Sequence, residues 1–189
     1  LDFLDKELNV PFFKIASGEI HSIDMLEYIS KSNKPVILSS GMSTFNDVKQ
    51  SLKILQKHKK KNITLLHCVS SYPTRLQDMN LKRIDNLKEK FNLDIGLSDH
   101  SLSDIPAIIA VTKSAKVIEK HVTISRKLKG PDHKASLEIP EFDDFVKKIR
   151  DAELLCQSNL KKISLDELNV KKVARKSIVS AKSILKGKK

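Results

Sequence analysis

Apolar, β-branched segments recur along the chain at a regular interval. They are FFKIAS around Ile15, PVILSS around Ile37, ITLLHC around Leu65, LDIGLS around Ile95 and KVIEKH around Val117. Successive centres lie about 22 to 30 residues apart, close to the length of one strand plus one helix in an α/β barrel. Short apolar runs bounded by polar turns predict buried parallel strands.

Between the runs the period changes to that of a helix. Thr44, with Asp47 three positions on, makes an approximate capping box, and Val48, Leu52 and Leu55 follow on one face. Asp78 opens a second helix with Leu81, Ile84, Leu87 and Phe91 on one side, and Ile105, Ile108, Ile109 and Thr112 mark a third. Pro140 suits the first turn of a fourth, whose stripe is Phe142, Phe145, Val146, Ile149 and Ala152. Upstream, LDFLDKELNV reads as the tail of a helix running into Pro11, so a missing N-terminus is expected.

Strand then helix, five times over, predicts a parallel sheet with right-handed crossovers. The period alone does not choose between a barrel and an open doubly wound sheet. Residues 1–156 read as one α/β unit and 157–172 as a linker, while 173–189, VARKSIVSAKSILKGKK, alternate like the start of a small β domain.

Composition narrows the function. A chain of 189 residues with 40% hydrophobic content supports one sizeable core. The net charge of +12 raises nucleic acid as a partner, but the lysines are spread along the helices and aromatic residues are only 5%. Stacking platforms are therefore lacking, and a solvated cationic surface that draws anionic substrates inward is the expectation, with no nucleic acid partner. No apolar run approaches the roughly 20 residues needed to cross a bilayer, so no membrane role is expected. Two cysteines, Cys68 and Cys156, make neither a disulfide framework nor a metal finger, which agrees with a reducing cytoplasm.

Polar residues gather just after each strand. They are Lys14, Ser17 and Glu19; Ser39 and Ser40; His67, Ser70 and Tyr72; Ser98, Asp99 and His100; and Glu119, Lys120 and His121. In a parallel barrel the C-terminal strand ends converge on one mouth, which carries the active site. Taken singly, each has a plainer reading: the serines as helix N-caps, the histidines as packed core side chains. His100 and His121 close consecutive strands, however, so their imidazoles can meet across one strand spacing of about 4.8 Å and share a metal. Two imidazoles with oxygen ligands and open positions suit Mn²⁺, or another divalent ion such as Mg²⁺ or Co²⁺. Because side chains alternate along a strand, Glu119 and Lys120 cannot both face inward with His121.

Six segments now carry a resemblance. KIASGEI, PVILSSGMST, LLHCVSSYPT, IGLSDHS, VIEKHVT and GPDHKASLE are similar, in order, to the motifs of the sialic acid synthase family, from the first residues to about Arg150. The resemblance implies a (β/α)8 TIM barrel of which these five strands are the fourth through eighth, followed by the start of an antifreeze-like domain. It implies condensation of phosphoenolpyruvate with N-acetylmannosamine or a related 2-acetamido hexose. In that reaction C3 of phosphoenolpyruvate attacks a metal-polarised aldehyde, water adds at C2 and phosphate leaves.

The family's site residues carry over by position. Lys14, Ser17, Ser39, Ser70 and Ser98 resemble the groups that hold phosphate and carboxylate, and His100 and His121 resemble the two ligands of Mn²⁺. Glu19, Tyr72 and Asp132 resemble residues of the sugar pocket, with Lys14, Glu19 and Tyr72 the catalytic candidates and His133 at the rim. A homodimer is implied for the full-length protein, its antifreeze-like domain reaching into the partner's site. Without three strands the chain by itself is expected to be inactive and poorly folded.

The chain departs from the pattern in places. The usual Leu-Gly-Ala before the last strand is Lys113, Ser114 and Ala115, the usual His-Phe-Thr is His121, Val122 and Thr123, and Ser70 stands where some members have Asn. Another phosphoenolpyruvate-condensing sugar-acid synthase is the nearest rival, and a truncated non-catalytic remnant is a second.

Overall fold

The computed structural model describes residues 1–58, 62–156 and 163–188. It divides into two units, Leu1–Cys156 and Gln157–Lys189. In the first, strands and helices alternate: β1 (Phe13–Ile15), α1 (Ile23–Lys31), β2 (Val36–Ser39), α2 (Phe45–Leu55), β3 (Ile63–Cys68), α3 (Lys82–Phe91), β4 (Asp94–Asp99), α4 (Ile105–Thr112) and β5 (Ile118–Lys120). Two short strands, β6 (Val122–Thr123) and β7 (Leu137–Glu138), then pair with each other before α5 (Ile139–Cys156).

All five main strands are parallel and lie in chain order, β1-β2-β3-β4-β5. A doubly wound sheet reverses its strand order at a switch point, and none occurs here, so the barrel alternative holds. The sheet also curls. In a flat sheet the outer strands would stand about 19 Å apart, four spacings of about 4.8 Å. Instead Lys14 Nζ of β1 lies 3.4 Å from Glu119 Oε2 of β5.

Alternation divides each strand between two faces. Phe13, Ile15, Val36, Leu38, Ile63, Leu65, Ile95 and Leu97 bury themselves in one core with Leu26, Val48, Leu52, Ile84 and Leu87 of the helices. Alternate positions turn to the concave side, where the polar residues stand. A second cluster, with Ala107, Val111, Leu137, Phe145 and Ile149, fixes α5 against α4. Burying one Leu or Ile side chain stabilises by roughly 1.5–3 kcal/mol, so the helix-facing rows hold the sheet and leave its inner face open to chemistry.

Local signals decide where elements begin and end. The capping box at Thr44 forms as the spacing predicts: its hydroxyl accepts from Asp47 N–H, and its own N–H donates to the Asp47 carboxylate at 2.7 Å. Asp78 does not open α3; it closes a 3₁₀ turn, Leu76–Asp78, and the helix begins at Lys82. The opening stretch makes a π-helical turn, Phe3–Glu7, that ends well before Pro11. Ser114, where the family pattern has glycine, sits at φ 65, in the left-handed region that disfavours a side chain.

In the second unit, Ser164 caps a helix α6 (Leu165–Ala174), so part of the stretch expected to be a linker is helical. Residues 175–188, expected to open a β domain, carry no strand among the described residues. The linker positions 157–162 and Lys189 lie outside the described residues.

Candidate functional site

A cavity of about 370 Å³ opens on the concave side at the C-terminal strand ends. Lys14, Ser17, Ser39, Ser70, Tyr72, Ser98, His100 and His121 line it together with Cys68 and Glu119. Five separate segments thus deliver their polar residues to one place, as a parallel sheet in chain order requires. Register sets the details: Cys68 pairs with Ser98, and Ser98 with Glu119, so the three stand in one row across β3, β4 and β5.

The two imidazoles meet. The His100 and His121 rings lie 5.1 Å apart at 80°, and the tilted Tyr72 ring lies 4.2 Å from the first and 5.5 Å from the second. His100 is 6% exposed, and its Nδ1 faces the Val69 carbonyl at 2.9 Å. That contact leaves its Nε2 toward Ser98 Oγ, at 3.3 Å.

Burial and hydrogen bonding compete in setting protonation here. Burial opposes the charged form of His100, but Cys68 and the Val69 carbonyl outweigh it and raise the imidazole above its ordinary value. Cys68 is the mirror case: burial opposes the thiolate, yet hydrogen bonds from His100 and Ser17 bring the thiol below its ordinary value. For His121 burial and then the His100 charge act together and lower it. Burial, followed by the negative charge of Cys68, raises Tyr72. Neighbouring groups are therefore biased toward opposite protonation states, a mark of functional clefts.

Glu119, named among the polar residues at the strand ends but given no role there, belongs to the site. Its Oε1 accepts from Ser98 Oγ at 2.7 Å while its Oε2 faces Lys14, so it joins the two halves of the cavity. Its position two residues before His121 places both on the same side of the strand, which was the available signal. Lys120, between them, points to the opposite face and pairs with Asp99 at 2.7 Å. Gly41 is also part of the site. Its N–H donates to Ser17 Oγ at 2.9 Å, and a Cβ there would strike the Ser70 and Ser17 hydroxyls.

Other expected residues stand apart. Glu19 does not line the cavity; its exposed carboxylate accepts a short hydrogen bond from the Ser22 hydroxyl. Asp132 is half-exposed outside the cavity lining, with its carboxylate 3.9 Å from His121 Nδ1. His133 is held by Thr123, whose Oγ1 lies 2.7 Å from its Nδ1. Ser39 Oγ is buried on the cavity wall with no hydrogen-bond partner among the described residues.

Among the described residues no group of three or more His, Cys, Asp or Glu side chains is arranged to hold a metal. The chain can offer a cation the His100–His121 pair, with other positions left to water or substrate oxygens. Among the described residues no helix is long and apolar enough to cross a membrane.

Comparison with known proteins agrees with the geometry. The chain is 42% identical over 183 residues to an N,N'-diacetyllegionaminic acid synthase of Campylobacter jejuni, covering 96% of this chain and 55% of that protein. It is 38% identical over 188 residues to a pseudaminic acid synthase of the same species, covering 99% and 54%. The chain thus spans about half the length of the curated relatives it matches. Among solved structures, the N-acetylneuraminic acid synthetase of Leptospira borgpetersenii superposes with a TM-score of 0.78 at 36% identity, covering 90% of this chain and 61% of that one. Residues 1–161 match the NeuB family throughout. The chain belongs to the NeuB family.

Proposed function

We propose that the cavity serves condensation of phosphoenolpyruvate with N-acetylmannosamine or a related 2-acetamido hexose, releasing phosphate and giving a nonulosonic acid. One observation carries this reading: a fixed ammonium and four serine hydroxyls share a cavity with a pair of imidazoles under a tyrosine. Phosphoenolpyruvate is a polyanion, and ammonium and hydroxyl donors in a concave site are what binds it. Lys14, Ser17, Ser39, Ser70 and Ser98 hold its phosphate and carboxylate; the buried Ser39 hydroxyl, without a partner among the described residues, is a donor ready for such a ligand.

His100 and His121 would hold the divalent ion, Mn²⁺ in the first place. Their fit rests on tautomer control, since the Val69 carbonyl occupies Nδ1 of His100 and leaves Nε2 to ligate. Bound there, the ion supplies Lewis acidity toward an aldehyde oxygen. Tyr72 covers both imidazoles and lines the sugar side, and Asp132, beside His121, accepts hydrogen bonds from sugar hydroxyls. In the reaction C3 of phosphoenolpyruvate forms a bond to the aldehyde carbon, water adds at C2, and the C–O bond to phosphate breaks. The residues contribute by orienting two bound substrates.

Relatives named legionaminic and pseudaminic acid synthases support this substrate class. A further expectation is a homodimeric cytoplasmic enzyme with the remaining barrel strands supplied beyond these five. Phosphate release by the full-length protein with Mn²⁺ and phosphoenolpyruvate tests the proposal. Release with N-acetylmannosamine or a diacetamido hexose is expected, and release with a phosphorylated tetrose or pentose instead would overturn it in favour of a sugar-phosphate synthase.

A further inference from the structure

Behind the cavity, on the helix-facing side of the sheet, lies a buried ion pair. Asp99 ends β4 and Lys120 ends β5, and the register sets them directly opposite. Lys120 Nζ is 2.7 Å from Asp99 Oδ2, with the two side chains 2% and 0% exposed. The same ammonium donates to the Ser101 carbonyl at 2.6 Å, and Ser101 N–H donates to Asp99 Oδ1 at 2.8 Å. Phe145 of α5 closes the space, its ring 5.6 Å from Nζ.

The chain order around this knot gives it meaning. Asp99 and Ser101 are the residues on either side of His100, and both grip Lys120. The residues on either side of Lys120 are Glu119 and His121, which line the cavity. The backbone ladder between the strands ends at the Asp99–Lys120 pair. Beyond it the His100 carbonyl accepts from Thr74 N–H at 2.9 Å and the His121 carbonyl from Leu137 N–H at 2.9 Å, so each is committed elsewhere.

We propose that the Asp99–Lys120 pair is a positioning device that sets the separation and orientation of His100 and His121 from behind the sheet. Stability alone does not explain it: a buried ion pair costs heavy desolvation, and apolar residues of similar volume often serve the fold as well or better. What an apolar pair lacks is direction. The charged, hydrogen-bonded knot fixes the turn 99–101 and the end of β5 relative to one another on the side away from the cavity. The role in cation binding rests on the metal reading above, whereas the role in holding the two rings together does not.

The test uses the full chain with two readouts, Mn²⁺ affinity by titration calorimetry and the nuclear Overhauser contact between the His100 and His121 rings. The double variant Asp99→Leu/Lys120→Met is expected to melt near the wild-type temperature, lose the ring contact and bind Mn²⁺ about 10- to 100-fold more weakly. An unchanged ring contact and unchanged affinity in that variant would overturn the proposal. Should the double variant not fold, Asp99→Asn decides by the same readouts: it is close in shape, but its amide keeps one acceptor oxygen where Asp99 offers separate oxygens to Ser101 N–H and to Lys120. A kept ring contact and affinity in a destabilised Asp99→Asn would mark the pair as a tie for the fold alone and overturn the proposal. Wild-type chain that shows the ring contact but takes no Mn²⁺ would sink the metal reading, and the contact in the variants would then decide the positioning role.

Discussion

The Glu119 carboxylate stands 3.4 Å from the Lys14 ammonium, joining the last strand of the sheet to the first. It competes with any anionic ligand for the one cation on the cavity wall among the described residues. Partly exposed pairs of this kind contribute about 0.2–1 kcal/mol. Glu119→Gln is therefore predicted to tighten phosphoenolpyruvate binding by up to about fivefold, read by titration calorimetry. Weaker binding in the variant would show that Glu119 supports the anion site and does not compete with it.

Gly41 has a steric role. Its missing Cβ leaves room for the Ser17 and Ser70 hydroxyls, with Cys68 Sγ next nearest at 3.1 Å. Gly41→Ala is expected to cost about 1–3 kcal/mol of stability through overpacking, and to weaken phosphoenolpyruvate binding by displacing both serines. Paired denaturation and binding measurements check this, and a variant of wild-type affinity would contradict it.

Ser114 bears a left-handed backbone at φ 65 where the family pattern has glycine. Ser114→Gly removes the Cβ conflict, an effect of about 1 kcal/mol. The melting temperature is predicted to rise by about 2–4 °C, with the cavity untouched. A fall would mean that the Ser114 side chain contributes more than the strain it causes.

Glu141 ties the loop before α5 to the start of that helix. The Glu138 N–H, and after it the Arg126 guanidinium, hold its carboxyl below the ordinary value of 4.5. A group depressed in the folded state stabilises fully above its unfolded pKa and loses that contribution as pH falls through the folded value. Hydrogen-exchange protection of the Glu138 amide, corrected for intrinsic rate, should therefore drop as pH falls below about 4.5. In Glu141→Gln the same protection should stay flat with pH.

Much of this was legible in sequence because strands and helices bury apolar rows of different period. Phe13, Ile15, Leu38, Leu65 and Leu97 declare the helix-facing side of their strands, and their polar neighbours Lys14, Ser39 and Ser98 fall on the other. The His100–His121 meeting followed from their places at the ends of consecutive strands. What stayed hidden depended on direction. Alternation with His121 puts Glu119 on the cavity side, but that its carboxylate turns to Ser98 and Lys14, and that Lys120 finds Asp99 behind the sheet, depends on packing that no period announces. Glu19 sits in a 3₁₀ turn, whose pointing has no simple period, and it turns to Ser22. Asp78 looked like a helix start because caps and turns use the same residues.

The central claim is that the polar concave wall is an anion site built around Lys14. Titration calorimetry of phosphoenolpyruvate into the full-length wild-type protein and into its Lys14→Met variant tests it most directly. One molecule bound per chain, weakened tenfold or more in the variant, is the predicted result; no binding, or equal binding by both proteins, would contradict it.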